Sequence, residues 1–312
     1  MTIESARQQP ASRRRAILIG LIGEGVTPSL SPPMHELEGA RHGLHYVYRT
    51  IELSAKEATE DSVRQLLVSA DRLGFTGLNL THPIKQMVLP LLDELAPSAR
   101  RVGAVNTVVF DDGRTVGHNT DATGFGAALD EALPDSPLRK VVLIGSGGAG
   151  AAVAHALVTR GVEELVVVDV DVSRAATLAA SLAPEPPHTV KVGSTNELSS
   201  LLADADGIVN ATPLGMAAHP GTAFDLDLLN ERVFVADVVY RPAETALLVG
   251  ARLRGCQVMS GLGMAMHQAA DAFEIFTGEP ADRQAMLVDL HNLVAAEAVR
   301  ELAHVAPMRG RN

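Results

Sequence analysis

The stretch KVVLIGSGGAG at residues 140–150 decides the fold of this chain. In it a wholly apolar run, residues 141–144, ends directly in a glycine-rich turn of the form G-x-G-x-x-G. Such a run is typical of a strand at the centre of a parallel sheet, and the Ala-rich residues 151–159 after it have the composition of a helix. Because the motif is specific only between a strand and a helix, this setting predicts a dinucleotide-binding turn.

Each glycine of the turn has its own task in such a motif. Gly145 would permit the tight turn, Gly147 would let the backbone approach a pyrophosphate, and Gly150 would let the helix pack closely on the sheet. Gly148 and Ala149 complete the predicted cofactor-binding turn. They open the helix, whose unpaired N–H groups and positive dipole end favour phosphate.

An acidic residue after the next apolar run indicates which dinucleotide is bound. Asp169 follows the glycine turn at about the 20-residue spacing expected of a carboxylate that accepts hydrogen bonds from the ribose and repels a 2′-phosphate. Arg174 lies close behind and could receive that phosphate, or could simply be a solvated helix residue, while Asp171 adds negative charge between them. We therefore expect NAD as the cofactor, with NADP less favoured.

The rest of the chain alternates short apolar runs with helical patterns, which predicts mostly parallel sheets covered by helices. The prediction is an α/β fold of two domains, an N-terminal substrate-binding domain and a Rossmann dinucleotide-binding domain. The last helical patterns have no strand after them, so we expect them to pack back on the first domain. The predicted boundaries are a mobile extension at 1–15, a substrate-binding catalytic domain at 16–125, an NAD-binding domain at 126–262 and C-terminal helices at 263–304.

Composition and charge exclude several classes of function. The 26 Lys and Arg against 37 Asp and Glu give a net charge of −11, and aromatic residues are only 3% with no Trp. Such a chain lacks the positive charge and the stacking groups that nucleic-acid binding requires. We expect a small-molecule substrate as the partner, and either a monomer or a homodimer.

The cysteine count and the apolar runs limit which metal sites the protein can form and where it can be located. Cys256 is the single cysteine, so neither an intrachain disulfide nor a cysteine zinc site can form. The histidines show no ligand spacing with nearby acids, and we assign no metal. No stretch approaches the roughly 18 apolar residues of a membrane span, and the apolar run after the arginines at 13–15 is too short for a signal peptide. The expected location is the cytoplasm.

Polar residues in the predicted loops indicate the chemical class of the substrate. Small hydroxyls and amides, with one lysine and one aspartate, follow the predicted strands in SLSP at 29–32, NLTHPIK at 79–85, NT at 106–107 and GHNTD at 117–121. Ligands of α/β sheets bind in the loops that follow the strands. Many neutral hydrogen-bonding groups suit a polyhydroxylated ring better than an apolar substrate.

At these residues the chain resembles the shikimate dehydrogenase family, over almost its whole length. The matching strings, in the family's order and spacing, are SLSP, NLTHPIK, GAVNT, GHNTDATGF, GSGGAG, NATPLGM, DVVYRP and GLGMAMHQAADAF. The first 15 and about the last ten residues fall outside the match. The resemblance implies reversible oxidation of a ring hydroxyl of shikimate or quinate to 3-dehydroshikimate or 3-dehydroquinate.

The resemblance also assigns roles to single residues. Lys85 and Asp121 correspond to the catalytic pair that handles the proton of the hydroxyl being oxidised. The implied substrate ligands are Ser29, Ser31, Thr81, Asn106, Tyr240 and Gln268. The implied cofactor contacts beyond the glycine turn, Asp169 and Arg174 are Asn210, Thr212, Gly263 and Met266.

Several alternatives stay open at this point. Lys85 is either the true base or a group that positions and polarises the hydroxyl, because burial lowers a lysine pKa while a neighbouring aspartate raises it. Asp169-Val170-Asp171 replaces the basic turn of NADP-using members and resembles the NAD-using quinate/shikimate branch, whereas Ser29 and Ser31 also occur in strict shikimate enzymes. Rivals are a narrow biosynthetic shikimate dehydrogenase, a relative acting on an amino-substituted shikimate, and a non-catalytic sensor.

Overall fold

The computed structural model describes residues 16–182 and 188–305, so the extension predicted at 1–15 lies outside the described residues. The strands are β1 (Ala16–Gly23), β2 (His45–Glu52), β3 (Gly77–Leu80), β4 (Glu94–Leu95), β5 (Thr107–Asp111), β6 (Arg114–His118), β7 (Lys140–Ile144), β8 (Glu164–Val168), β9 (Thr189–Gly193), β10 (Gly207–Asn210), β11 (Phe234–Asp237) and β12 (Val258–Met259). The helices are α1 (Ser31–Arg41), α2 (Glu60–Arg72), α3 (Pro97–Val102), α4 (Asp121–Ala132), α5 (Gly148–Thr159), α6 (Val172–Leu182), α7 (Leu198–Leu202), α8 (Ala246–Leu253), α9 (Gly261–Thr277) and α10 (Arg283–Val305).

The first sheet has the strand order β2-β1-β3-β5-β6-β4. Strands β1, β2 and β3 run parallel, and β5 and β6 form the antiparallel hairpin expected from the turn at residues 111–113. The carboxyl ends of β1 and β3 therefore lie side by side. The loops that follow them, with SLSP and NLTHPIK, open at one edge of the sheet.

The second sheet is wholly parallel, with the strand order β12-β11-β10-β7-β8-β9. Counted along the chain from β7, this is the doubly wound order in which a dinucleotide binds at the switch point beside the first strand. That point lies between the ends of β7 and β10. The predicted two-sheet α/β fold is confirmed, and the cofactor turn stands where the topology places a ligand.

The C-terminal helices return to the first sheet, as predicted. Phe273 and Phe276 of α9 pack with Tyr46 and Tyr48 of β2 in one buried cluster. A second cluster joins the start of α1 to α9 and α10. Helix α4 packs against both α5 and α9 and spans the predicted domain boundary at residue 125, so the division at 125/126 stays a prediction. Within the described residues no helix is long and apolar enough to cross a membrane.

Candidate active site

The glycine turn fits a dinucleotide. Gly145 has a φ of +101°, a conformation that favours glycine, and a Cβ on Gly150 would lie 2.0 Å from the carbonyl oxygen of Gly145. A Cβ on Gly147 would meet only Arg174 within 4 Å, at 3.6 Å. The outer side of Gly147 is thus open, and no side chain caps the N-terminus of α5. Its N–H groups are available for an anion such as the pyrophosphate.

Asp169 is fixed by the turn that precedes it. Its Oδ2 accepts hydrogen bonds from the backbone N–H and the hydroxyl of Ser146, at 2.8 and 2.6 Å, and its Oδ1 accepts from the N–H of Asp171 at 3.0 Å. Burial alone would raise the pKa of Asp169, but these hydrogen bonds and the charge of Arg174 outweigh it and hold the pKa below its ordinary value. The carboxylate is ionised and oriented, and Oδ1 retains capacity for a further donor.

Arg174 points toward the glycine turn. Its Nη2 lies 3.6 Å from the position of a Cβ on Gly147, and its charge also lowers the pKa of Asp171 after the larger effect of the Ser173 hydroxyl. The residue is exposed, in the first turn of α6. Its guanidinium thus lies beside the turn that would hold the cofactor phosphates. Arg174 is therefore exposed to solvent and also faces the glycine turn.

Lys85 and Asp121 form the ion pair expected of the catalytic pair. Lys85 Nζ lies 2.7 Å from Asp121 Oδ2, and both side chains are largely buried, with 16% and 8% exposed. Asp121 opens α4 after the N-cap residue Thr120, and its carboxylate contacts Lys85 instead of capping the helix. The Lys85 Cδ lies 3.2 Å from the position of a Cβ on Gly148, so the pair from the first sheet reaches the cofactor turn of the second.

A buried hydrogen-bond network holds the ion pair of Lys85 and Asp121. Asn106 donates from Nδ2 to Asp121 Oδ1 at 3.0 Å and to Thr120 Oγ1 at 2.8 Å. Asn79 donates to the carbonyl of Asn106 at 3.1 Å, and the Tyr48 hydroxyl donates to Asn79 Oδ1 at 2.7 Å. Sequence reasoning found Asn106 but missed Tyr48 and Asn79 as site residues, although Asn79 opens the NLTHPIK string that it used.

Ser29, Ser31 and Tyr240 come together from two different loops. The N–H of Ser31, at the start of α1, donates to Ser29 Oγ at 3.2 Å. Tyr240, after β11, is partly buried and lies near Ser29. Burial raises the pKa of Tyr240, and the neighbouring charge of Arg241 and the nearby Ser29 side chain reduce that rise.

Thr81 and Gln268 lie on other elements of the site. Thr81 is partly buried at the end of β3, where its N–H donates to the carbonyl of Ile22 at 3.0 Å. Gln268, on α9, packs against α4 so closely that a Cβ on Gly124 would lie 2.7 Å from its backbone nitrogen. Its side-chain amide donates to Ala265 O in its own helix at 2.9 Å. Their roles as substrate ligands stay predictions.

The loop after β10 is held by a buried acid that sequence reasoning missed. Asn210 accepts hydrogen bonds from the N–H and hydroxyl of Thr212, at 3.1 and 2.7 Å, and donates to Asp237 Oδ1 at 2.9 Å. Asp237 also accepts from Thr245 Oγ1 at 2.7 Å, and burial raises its pKa against these hydrogen bonds. Asn210 thus shapes the loop, and the carbonyl of Ala211 closes over Gly145.

The expected nicotinamide contacts on α9 have packing roles in the structure. A Cβ on Gly263 would lie 3.0 Å from the Cβ of Ala128 in α4, so Gly263 faces that helix. Met266 is only 2% exposed and belongs to the buried cluster with Leu30 and Met34 of the first unit. The physical reason is helical periodicity, which turns Gly263 toward α4 and the Met266 side chain toward α1. Their contact with a cofactor stays a prediction.

Among residues 16–182 and 188–305, no group of three or more His, Cys, Asp or Glu side chains could hold a metal ion. His82 is exposed, and its backbone carbonyl accepts a hydrogen bond from the Glu24 N–H at 2.9 Å. Its position between Thr81 and Pro83 predicts a scaffolding role in the loop and not an acid–base one, and this contact fits that prediction.

Three family models match the chain in succession. They are described as the shikimate dehydrogenase substrate binding domain at residues 21–108, shikimate / quinate 5-dehydrogenase at 129–217, and the shikimate 5′-dehydrogenase C-terminal domain at 261–287. Together they cover parts of both sheets and part of the returning helices.

Two relatives and one solved structure are similar to the chain over nearly their whole length. A shikimate dehydrogenase (NADP⁺) of Arthrobacter sp. (strain FB24) is 54% identical, covering 93% of this chain and 99% of the relative. A quinate/shikimate dehydrogenase (NAD⁺) of Corynebacterium efficiens is 51% identical, covering 87% and 96%. The solved structure of quinate dehydrogenase from Corynebacterium glutamicum in complex with NAD has a TM-score of 0.81 and 49% identity, over 88% of this chain and 98% of that one.

Proposed function

Because this chain belongs to the shikimate dehydrogenase family, we propose that it is an NAD-dependent enzyme that oxidises a ring hydroxyl of shikimate, of quinate or of both. As a family member it is an oxidoreductase of CH–OH groups that binds a nicotinamide dinucleotide. The proposal adds the preferred cofactor, the substrates and the residues that act. The observation that carries it is the ion pair of Lys85 and Asp121, set against the glycine turn.

Oxidation of an alcohol releases a hydride and a proton. When bound, the nicotinamide ring accepts the hydride and leaves the proton to the protein. Lys85 Nζ, held by Asp121 at 2.7 Å, is the group that would contact the substrate hydroxyl. As it takes the hydroxyl proton it would pass one of its own protons to the Asp121 carboxylate, so that the pair ends as an ammonium and a carboxylic acid. Asn106 holds the other oxygen of Asp121, so the carboxylate keeps the amine in place while the proton moves. A sensor would need no such proton relay.

The residues of the turn would hold the dinucleotide by its phosphates and ribose. The N–H groups at Gly147, Gly148 and Ala149 would bind the pyrophosphate, and Oδ1 of Asp169 would accept a hydrogen bond from a ribose hydroxyl. Thr212 and the loop that Asn210 shapes would border the nicotinamide side.

NAD is favoured by the charge at the end of β8. Asp169 is ionised and held by Ser146, and the exposed Val170 stands where a basic side chain could otherwise bind a 2′-phosphate. Repulsion between two negative charges therefore acts against NADP. Arg174 supplies an opposing attraction, since its guanidinium lies beside the turn. We infer a preference for NAD with some activity retained on NADP.

The substrate proposal rests on the polar character of the loops. The N–H of Ser31 donates to Ser29 Oγ, and Tyr240 lies near Ser29, so that these side chains would together bind ring substituents. Quinate carries a hydroxyl on the carboxylate-bearing carbon, where shikimate has a ring double bond instead. Serine hydroxyls can accept or donate, so this pair of side chains is compatible with both acids.

The proposal is tested by following the absorbance of the reduced cofactor with NAD and each of shikimate, quinate and cyclohexanol. We expect turnover of shikimate, quinate or both and strong rejection of cyclohexanol, because a site built for hydroxyls leaves buried polar groups unpaired with an analogue that lacks them. Turnover of shikimate alone would favour the narrow biosynthetic enzyme. Binding without turnover of either acid, with NAD or NADP, would contradict the proposal and favour a sensor.

A further inference from the structure

Arg241 joins three segments that are distant in the chain. It follows Tyr240 in the loop after β11, on the second sheet. Its Nε and Nη2 donate to the two carboxylate oxygens of Glu297 in α10, each at 2.8 Å, and its Nη1 donates to the backbone carbonyl of Pro28. Pro28 directly precedes Ser29, in the loop after β1 of the first sheet.

The geometry of this contact is more specific than that of an ordinary surface ion pair. The guanidinium meets the carboxylate through two parallel hydrogen bonds and uses a third donor for the carbonyl, which a planar arginine can do and a lysine cannot. Both charged side chains are only about a quarter exposed, at 27% and 25%. The pair is thus partly protected from solvent screening.

The residues on either side of the contact are candidate substrate ligands. Tyr240 precedes Arg241, and Ser29 follows Pro28, so one arginine lies next to both. Tyr240 also lies near Ser29 across the same junction. Removing the guanidinium would break the polar link through Pro28 that ties the Ser29 loop to α10 and to the β11 loop, while the buried cluster around Leu30 stays in place.

We propose that Arg241 and Glu297 form a latch between the β11 loop and the Ser29 loop that positions Ser29 and Tyr240 for the substrate. Arg241 is a positioning residue, because it reaches the substrate only through these neighbours. The inference rests on the proposed function for the roles of Ser29 and Tyr240. It adds that affinity for the hydroxylated acid depends on an ion pair outside the site.

The test compares Arg241→Gln with Arg254→Gln in steady-state kinetics. Arg254 is the matched control, because it also pairs with a carboxylate, Asp227, but only within the second sheet's own unit. For Arg241→Gln we expect the KM for shikimate or quinate to rise about tenfold or more, which corresponds to about 1.4 kcal/mol, while kcat and the KM for NAD change by less than about threefold. Arg254→Gln should match the wild type.

Further variants separate the latch from a general loss of structure. Arg241→Lys should recover only part of the affinity, and Arg241→Gln combined with Glu297→Gln should be no worse than Arg241→Gln alone, because the two act as a unit. If Arg241→Gln fails to fold, Glu297→Gln alone carries the test. A normal KM for the acid in a folded variant, or an equal rise in the KM values of acid and NAD, would overturn the latch.

Hydrogen–deuterium exchange supplies a readout that needs no activity. Amide exchange at residues 26–31 should be faster in Arg241→Gln than in the wild type and unchanged in Arg254→Gln. Unchanged exchange in Arg241→Gln would overturn the latch by itself. If exchange is faster in Arg241→Gln but the wild type oxidises neither acid, the latch is supported and the proposed function is contradicted.

Discussion

At the scale of the residue, the site depends on how a lysine and an aspartate are held together. Lys85 and Asp121 come from separate segments and meet at 2.7 Å, with Asn106 on the second carboxylate oxygen. Because the three groups share hydrogen bonds, loss of one leaves the others buried without their partner. The pair should therefore behave as a single unit in catalysis.

Substitution of the pair gives the corresponding prediction. Lys85→Ala should lower kcat by about 100-fold or more, the usual loss on removal of a general acid–base group, with a smaller effect on the KM of the acid. Asp121→Asn should be similarly damaging, and the double variant should lose far less than the product of the two single losses. The measurement is kcat under saturating acid and NAD. A near-normal kcat for Lys85→Ala would remove it from the mechanism.

Residue types in motifs were readable from the sequence, but their side-chain partners were not. The strings containing Lys85, Asp121 and Asn106 identified them before any geometry was known. The Ser146–Asp169 contact was not foreseen, since it depends on how the glycine turn folds back on β8. Helical phase likewise decides that Met266 is buried in a core cluster, and the spacing of a motif does not report that phase.

At the scale of the element, the link from β7 through the glycine turn to α5 separates packing from ligand binding. A Cβ at position 150 would lie 2.0 Å from the Gly145 carbonyl, which is rigid backbone at the foot of the helix. A Cβ at position 147 would meet nothing closer than 3.6 Å, and its φ of −72° suits any residue. Two alanine substitutions three residues apart should therefore have different consequences.

The two substitutions are compared by thermal unfolding and by kinetics. Gly150→Ala should lower Tm by several degrees, because the backbone where α5 meets β7 must move to admit the methyl group. Overpacking of this kind costs roughly 1–3 kcal/mol of folding free energy. Gly147→Ala should leave Tm near the wild type and raise the KM for NAD, since its methyl group occupies the side from which a pyrophosphate approaches. Equal effects of both variants on Tm would refute this division of tasks.

Strands and helices with a strong hydrophobic pattern are predicted well from the sequence. An edge strand and the start of a helix are not. Apolar runs at residues 141–144, 165–168, 207–209 and 234–239 predict the central strands of the second sheet, whereas no such run predicts β9, because this edge strand is mostly exposed and carries the mixed sequence TVKVG. The helical spacing of residues 56–73 predicts a helix that starts four residues before α2 does. Thr59 and Ser62 form a capping box, which fixes the start of the helix at Glu60.

At the scale of the whole molecule, a buried histidine joins the returning helix to the first sheet. The His35 ring of α1 lies 5.0 Å from the Tyr48 ring and 6.3 Å from that of Phe273 in α9, and its Nδ1 is 3.0 Å from the Tyr46 hydroxyl. Burial lowers the pKa of His35 to about 3 from an ordinary value of 6.5. The folded protein holds this imidazole neutral, while the unfolded chain protonates it below about pH 6.5.

The sign of the effect on stability follows from that difference. Between about pH 6.5 and 3 the unfolded state binds one more proton at His35, so its contribution is intact above pH 6.5 and is lost as the pH falls. The slope from this group is at most about 1.4 kcal/mol per pH unit. Urea unfolding of His35→Gln from pH 7 to 4 should show a shallower decline than the wild type. His45→Gln, at an exposed position on β2, is the control, and an identical decline in all three proteins would exclude His35.

The return of α9 and α10 was predicted because no strand followed them, but the way the two units meet was not. The contacts that decide it, such as Arg241 with Glu297 and Lys85 with Gly148, join positions far apart in the chain. No local pattern encodes such pairs. The switch point at β7 nevertheless follows from the strand order, and the ion pair of Lys85 and Asp121 lies beside it, where we propose that the cofactor and the acid meet.

The ratio of kcat/KM for NAD to kcat/KM for NADP, with the preferred acid, tests the account most directly. Hydrogen bonds to a charged group contribute about 1.5–3 kcal/mol, so the ionised Asp169 should give the wild type a preference for NAD of about one to three orders of magnitude. Arg174 beside the glycine turn places the expected value toward the lower end. Asp169→Asn should lower the ratio by about tenfold or more, because the repulsion of the 2′-phosphate is removed. A wild type that prefers NADP, or an Asp169→Asn variant with an unchanged ratio, would contradict the account.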